Sequence, residues 1–126
     1  MLMLLSGLSK EREMNRDYPI FNQWYNTMNQ ILNLTERFPK SMRFVLSNRL
    51  QNLSLDIIED ITELIYSKDK KAYYRLINLK LEKVRILFRV AYDRHYLSSE
   101  QMETLMTDIN LCGKMLGGWE KSDERE

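Results

Sequence analysis

The sequence predicts an all-α protein, an up-down-up-down antiparallel four-helix bundle with a short N-terminal extension. Its 126 residues suffice for one domain, and 44% hydrophobic with 29% charged residues supply both a core and a polar surface. Four glycines and two prolines are too few for a turn-rich β fold. From residue 19 onward, apolar residues recur at spacings of three and four in four segments. Short connections between such segments favour antiparallel neighbours.

Residues 1–16 are predicted to be an N-terminal extension, which we expect to be flexible. Its first eight residues are apolar, but they are far shorter than the roughly 20 residues that span a bilayer, and no basic residue precedes them as in a secretory signal. An apolar arm that docks on a neighbouring subunit is one alternative, and a natural start at Met14 is another. A single cysteine and no membrane segment lead us to expect a cytoplasmic protein.

The bundle domain is predicted over residues 17–120, and prolines bound its first two helices. Asp17 and Pro19 suit a helix start, because amides of the first turn need no helical partner. Proline disfavours helix for the residue before it, so Phe38-Pro39 ends the first helix, and Pro39 begins the second, which runs to about Tyr66. The two apolar stripes are Phe21, Trp24, Tyr25, Met28, Ile31 and Leu32, and then Leu46, Leu50, Leu53, Ile57, Ile61 and Leu64.

The third helix is predicted from about Lys71 to Arg94, after a polar break at 67–70. The run Ser98-Ser99-Glu100-Gln101 fits a Ser-x-x-Gln capping box and starts the fourth helix. The polar residues 121–126 are predicted to be a flexible tail. The apolar stripes are Tyr73, Ile77, Val84, Leu87, Phe88 and Ala91, with Leu81 nearby, and then Met102, Leu105, Met106, Ile109, Cys112, Leu116 and Trp119.

Apolar residues beyond the main stripe of the third helix predict a homo-oligomer. Leu76, Leu79, Ile86 and Tyr92 all fall outside that stripe. A monomeric bundle needs one apolar stripe per helix, so additional apolar surface indicates a partner. Scattered exposed apolar residues, which are normal on protein surfaces, are the alternative.

No catalytic or metal-binding motif is recognised. A di-iron bundle needs Glu-x-x-His pairs, but the residue three before His95, the one histidine, is Tyr92. We interpret His95 as a capping or surface residue at a helix end. We therefore expect no enzyme, cofactor, metal or small-molecule substrate, and a metal or redox bundle enzyme is the weakest alternative. The carboxylates of the second helix are interpreted as a solvated face: Asp56, Glu59, Asp60 and Glu63.

Charge is strongly segregated along the chain, although the net charge is only +1. Residues 37–51 carry four basic and no acidic residues, and residues 52–67 carry four acidic and no basic residues. Residues 68–97 carry nine basic and three acidic residues. Basic surface is therefore concentrated at the first bend and on the third helix.

A basic row is predicted on the third helix. At about 100° per residue, Lys71, Arg75, Arg85 and Arg89 fall within an arc of roughly 80°, with Glu82 inside it. Arginine matches phosphate in a bidentate manner, so the row can follow a phosphate backbone. A solvated face that pairs with acidic helices of neighbouring chains is an equally open alternative from charge alone.

Three motifs in this order resemble a known family. They are Phe38-Pro39-Lys40 at the first bend, Arg85-x-x-x-Arg89 in the third helix, and Gly113-Lys114-Met115-Leu116-Gly117-Gly118-Trp119 near the end of the fourth. Together they are similar to the accessory variability determinant (Avd) family of diversity-generating retroelements, which itself resembles the ribosomal intervening-sequence four-helix-bundle proteins. The resemblance spans roughly residues 18–121.

The resemblance implies a homopentamer with a central channel and no catalytic activity. Such a protein binds the element's reverse transcriptase and its template RNA (DNA or an RNA–DNA hybrid being further options), and it supports the mutagenic cDNA synthesis of retrohoming. Arg85 and Arg89 then correspond to the basic positions of the family's third helix, while Lys71, Arg75 and Arg43 are added on geometry alone. The alternative is a structural interaction protein of the intervening-sequence type, with no reverse transcriptase partner.

Overall fold

Four helices form the part of the chain that the computed structural model describes, residues 18–125. The predicted extension, Met14 and Asp17 lie outside these described residues. No strand occurs among residues 18–125, and the four-helix architecture is confirmed. The helices are α1 (Pro19–Glu36), α2 (Asn48–Tyr66), α3 (Lys71–Asp93) and α4 (Ser99–Arg125).

The helices close into a ring in which each one packs on two neighbours, in the order α1, α2, α3, α4 and back to α1. Successive contacts along a helix pair show that neighbours run antiparallel. Between α1 and α4, the rings of Tyr18 and Trp119 lie 5.1 Å apart, and further along α1 the Gln23 side chain donates to the Asp108 carbonyl, which is earlier in α4. None of the helices in this range combines the length and apolarity that a bilayer crossing requires.

The predicted apolar stripes meet in one core, with one exception. Tyr25 was assigned to the first stripe, but its side chain is 44% exposed, and its ring stacks on Phe21 at the surface. At the centre, the Trp24 indole N–H donates a 2.9 Å hydrogen bond to the Ser54 carbonyl oxygen of α2. The fully buried side chains of greatest volume are Trp24, Phe88, Ile31, Leu50, Ile57, Ile61, Leu64, Ile77, Leu81, Leu105, Ile109 and Leu116.

The connection between α1 and α2 differs from the prediction that Pro39 begins a regular second helix. After Pro39 the chain makes a 3₁₀ turn over Lys40–Met42 and a π-helical segment over Arg43–Ser47, and α2 begins only at Asn48. The Phe38 ring anchors this bend, since its centroid lies 6.5 Å from that of Phe88 and 5.7 Å from that of Tyr96. A core contact immediately before the proline thus constrains the path of the following turns.

The capping box predicted at the start of α4 is confirmed. The Gln101 amide donates to the Ser98 hydroxyl over 3.1 Å, and the Ser98 amide donates to the Gln101 side-chain oxygen over 2.9 Å. These reciprocal bonds satisfy two amides that have no partner inside the helix.

The end of α3 is closed by His95 in the left-handed region, with φ of 64°. The His95 amide donates to the Tyr92 carbonyl and the Tyr96 amide to the Ala91 carbonyl, which is the bonding pattern of a Schellman cap. Glycine usually occupies this position because it lacks a Cβ. His95 is exposed and caps the helix end, as its sequence position suggested.

The fourth helix is longer than predicted, because α4 continues to Arg125 rather than ending near residue 120. The Tyr74 hydroxyl of α3 donates a hydrogen bond to the Asp123 carboxylate, which ties this last part of α4 to the bundle. The flexibility assigned to residues 121–126 stays a prediction.

Candidate nucleic-acid interface

Arg85, a predicted nucleic-acid contact, is half-buried at the junction of α3 and α4. Its Nε donates to Asn110 Oδ1 over 2.9 Å, and its Nη1 lies 3.1 Å from a Glu82 carboxylate oxygen. A Cβ built on Gly113 would lie 3.2 Å from Arg85 Nη2, so the absence of a side chain there makes room for the guanidinium. Arg85 therefore links two helices, and part of its hydrogen-bonding capacity is used inside the protein.

Arg89, Arg75 and Lys71 lie on the same side of α3, and all three are exposed. Arg89 is one turn beyond Arg85 and has no carboxylate within 4.0 Å among the described residues. Lys71 and Arg75 line a shallow groove together with Asp69 and Glu120. Among the described residues, the row thus has a cation without a carboxylate partner at its C-terminal end and acidic neighbours at its N-terminal end.

Arg43 is not brought together with the other predicted contacts. It lines a groove between the end of α1 and the start of α2, with Glu36 and Lys40 among its neighbours. In the closed ring, the α1–α2 side lies opposite the α3–α4 side that carries Arg85 and Arg89. The five predicted residues therefore fall on two separate basic surfaces.

The groove around Arg43 holds an aromatic residue that our sequence reasoning missed. Phe44 is 83% exposed. The available signal was its position two residues before the buried Leu46, because about 200° around a helix from a buried residue is the solvent-facing side. The groove has a volume of about 390 Å³. We name it the bend groove; its lining residues are Thr35, Glu36, Phe38, Pro39, Lys40, Arg43, Phe44, Ser47, Asn48 and Gln51.

A second apolar stripe, which we name the α3 seam, runs along the outside of α3. It consists of Leu76, Leu79, Lys83, Ile86 and Val90, at alternating spacings of three and four and within an arc of about 80°. The apolar members are exposed by 38%, 53%, 54% and 40%, in chain order. This spacing is the heptad pattern of helices that pack on a partner helix.

The sequence assigned Tyr92 to the exposed apolar surface and did not include Val90. Tyr92 instead faces α4, where its hydroxyl lies 2.9 Å from the Ser99 hydroxyl. A groove of about 440 Å³ borders the α3 seam on the α2 side, with Asp56, Lys83 and Ile86 among its lining residues. The seam is thus an apolar surface with charged residues at its edge.

The prediction of a solvated carboxylate face on α2 is wrong for Asp60. This residue is buried, and its carboxylate lies 2.6 Å from the Lys80 ammonium of α3. Asp56, Glu59 and Glu63 are exposed as expected. Residues 18–125 contain no group of three or more histidine, cysteine, aspartate or glutamate side chains that could hold a metal ion.

Cys112, on the inner face of α4, is buried in the core. Burial raises the pKa of its thiol from 9.0 to about 12, and the positive charge of Arg85 opposes this shift. The thiol is therefore protonated at neutral pH, which is the unreactive form.

The fold defines a four-helix bundle with an exposed heptad seam and cationic surfaces on two opposite sides. A family model described as bAvd-like matches residues 20–123, which cover nearly all of the four helices. The chain therefore belongs to the bAvd-like family, and the resemblance to the Avd proteins is confirmed. No curated protein matches the chain.

Proposed function

We propose that this protein is a non-catalytic accessory protein of a diversity-generating retroelement. In this role it binds the element's reverse transcriptase and its template RNA and supports mutagenic cDNA synthesis. Membership of the bAvd-like family supports the role. The structural observation that carries the RNA-binding part is the exposed row Lys71, Arg75 and Arg89 on one side of α3. The role also implies a cytoplasmic location and no small-molecule substrate, cofactor or metal.

The protein acts as a cyclic homo-oligomer, a pentamer by analogy with the Avd family, and the α3 seam is the surface through which protomers meet. Burial of half-exposed leucine, isoleucine and valine side chains supplies the driving force. Lys83 within the seam favours a defined register, because an ammonium group must remain at the edge of the contact. A cyclic oligomer repeats every basic surface once per protomer. The electrostatic attraction of the assembly for a polyanion is therefore stronger than that of one protomer.

Phosphate neutralisation is the mechanism of RNA binding in this proposal. Each phosphate that a lysine or arginine contacts releases condensed counterions, so the binding constant falls steeply with salt. Arg89 presents a guanidinium with no described carboxylate partner, whereas the guanidinium of Arg85 is already bonded to Asn110 and Glu82. Arg89 therefore carries more of the contact, and Arg85 holds the α3–α4 junction beside it.

The test is co-purification with the candidate reverse transcriptase, together with cDNA synthesis on the element's own RNA. The double variant Arg75→Glu, Arg89→Glu should lose RNA or polymerase binding and retain the mass of the wild-type assembly. The charge-matched control is Lys68→Glu, Lys114→Glu, which reverses two exposed lysines outside the row. Normal cDNA synthesis by the first double variant would refute the site.

The reversal Arg85→Glu serves as a second probe, because it also removes the bond to Asn110. It should lower the melting temperature, which Arg89→Glu should not. A chain that binds no reverse transcriptase and whose gene lies in a ribosomal RNA insertion would instead be a structural interaction protein of the intervening-sequence type.

A further inference from the structure

The bend groove places an exposed aromatic ring among cations. Phe44 is the most exposed of the large apolar side chains in the described residues. Lys40 and Arg43 line the same groove, and neither has a carboxylate within 4.0 Å among the described residues. Glu36 is the one acidic residue in the lining, while Arg37 is exposed next to it. The surface is therefore cationic around an apolar platform.

The backbone that carries Phe44 is held firmly although the ring itself is in water. Phe38 packs against core rings on one side of the turn, and Leu46 and Ser47 are buried on the other. Between them the chain is π-helical over Arg43–Ser47. Such turns are rare in proteins, and those that do occur are frequently found at functional sites. The Phe44 ring thus contributes little to the core, although the segment that carries it is fixed by buried residues on both sides.

Polar groups also line the bend groove. The Gln51 side-chain amide donates one hydrogen bond, 3.0 Å long, to the Thr35 hydroxyl. Its second N–H and its carbonyl oxygen have no hydrogen-bond partner among the described residues. Asn48 and Ser47 add further donors and acceptors to the lining. The groove therefore combines an exposed aromatic ring, hydrogen-bonding groups and two cations.

We propose that the bend groove binds single-stranded nucleic acid, with one unpaired base stacked on Phe44 and the flanking phosphates on Lys40 and Arg43. Stacking on exposed aromatic side chains beside a cationic groove is how proteins hold single strands without reading sequence. A duplex does not fit this role, because its bases are already stacked on one another. The inference rests on the proposed RNA-binding function. It adds a second RNA-binding surface, on the side of the bundle opposite Arg89.

The experiment measures fluorescence anisotropy of a labelled twelve-residue oligouridine and of a labelled RNA duplex of equal length, with the full chain and without polymerase. Phe44→Ala should weaken oligouridine binding by about 5- to 150-fold, the loss expected for one base–aromatic stack, and leave duplex binding unchanged. Val45→Ala is the matched control, since Val45 is the neighbouring residue and is 60% exposed. It should bind both probes like the wild type.

Two further variants report on the stack and on the phosphates separately. Phe44→Trp should retain binding, and oligouridine should quench the emission of the new indole. Lys40→Ala with Arg43→Ala should make the negative slope of log K against log salt shallower by about 1.4, the loss of two single-strand phosphate contacts.

Each alternative outcome overturns the proposal in a different way. Wild-type affinity of Phe44→Ala for oligouridine, or an equal loss toward both probes, excludes the stacked base. Loss of polymerase co-purification with unchanged oligouridine affinity assigns the groove to a protein partner. If the wild-type chain binds neither probe, the RNA-binding part of the proposed function fails as well, while polymerase co-purification still tests the remainder.

Discussion

Disruption of the α3 seam gives the sharpest test of self-association. The double variant Leu79→Glu, Ile86→Glu changes the two most exposed apolar residues of the seam, which are 53% and 54% exposed. The exposed areas of the two side chains add up to about that of one fully exposed side chain. Burying this area in a contact between protomers contributes about 1.5–3 kcal/mol to the free energy of association for each seam buried. Placing two carboxylates in the contact adds a desolvation penalty. The association constant should fall by at least 10-fold, because 1.4 kcal/mol corresponds to a factor of about ten.

The assay is mass determination by light scattering across protein concentrations, with circular dichroism melts as the measure of folding. The wild type should form a closed assembly, and the double variant should be a folded protomer at micromolar concentration. Leu55→Glu with Leu111→Glu is the control, since these residues are 40% and 41% exposed and lie outside the seam. An unchanged mass for the seam variant, or equal dissociation of the control, would refute the assignment.

Three further predictions concern stability. His95→Gly should raise the free energy of unfolding in urea by about 0.5–1 kcal/mol, because glycine adopts positive φ without strain; a loss of stability would contradict the cap. Asp60→Ala should lower the free energy of unfolding by about 2 kcal/mol, since it leaves the Lys80 ammonium half-buried without its partner; the joint variant Asp60→Leu, Lys80→Met should recover most of the loss in the same urea measurement, and equal losses in both variants would contradict the pair. The pKa of Cys112 is 9.0 when unfolded and about 12 in the folded chain, so the folded state keeps its proton longer and stability falls as the pH rises above 9. The loss should reach about 2 kcal/mol at pH 10.5 and be smaller in Cys112→Ala, as guanidinium unfolding at pH 8 and 10.5 would reveal; equal losses in both proteins would contradict the raised pKa.

Features that depend on neighbouring residues in the chain were predicted well from the sequence. The capping box of Ser98 and Gln101 involves residues three apart, and it formed as predicted. The helical stripes follow from a repeat of 3.6 residues, so most core positions of the four helices were recognisable, although Tyr25 was wrongly included and the buried Ile20 and Tyr74 were missed. The family resemblance depended on the same local patterns and on the order of three short motifs.

Features that depend on the facing helix were decided by the tertiary structure. Asp60 has the same sequence surroundings as its exposed neighbours, and only Lys80 across the α2–α3 contact makes its burial possible. Arg85 and Arg89 are one turn apart on α3. The Arg85 guanidinium bonds to Asn110 and occupies the space that Gly113 leaves by having no side chain, whereas Arg89 is exposed to solvent.

The sequence alone thus determined the class of fold, the helix order, most core residues and where charge is concentrated. Only the tertiary structure decided which charges are paired, which apolar residues form the exposed seam, and that Arg43 and Phe44 share a groove away from α3. The physical reason is range: periodicity and capping act within a few residues, whereas burial, ion pairing and grooves depend on which side chains the packed helices bring face to face.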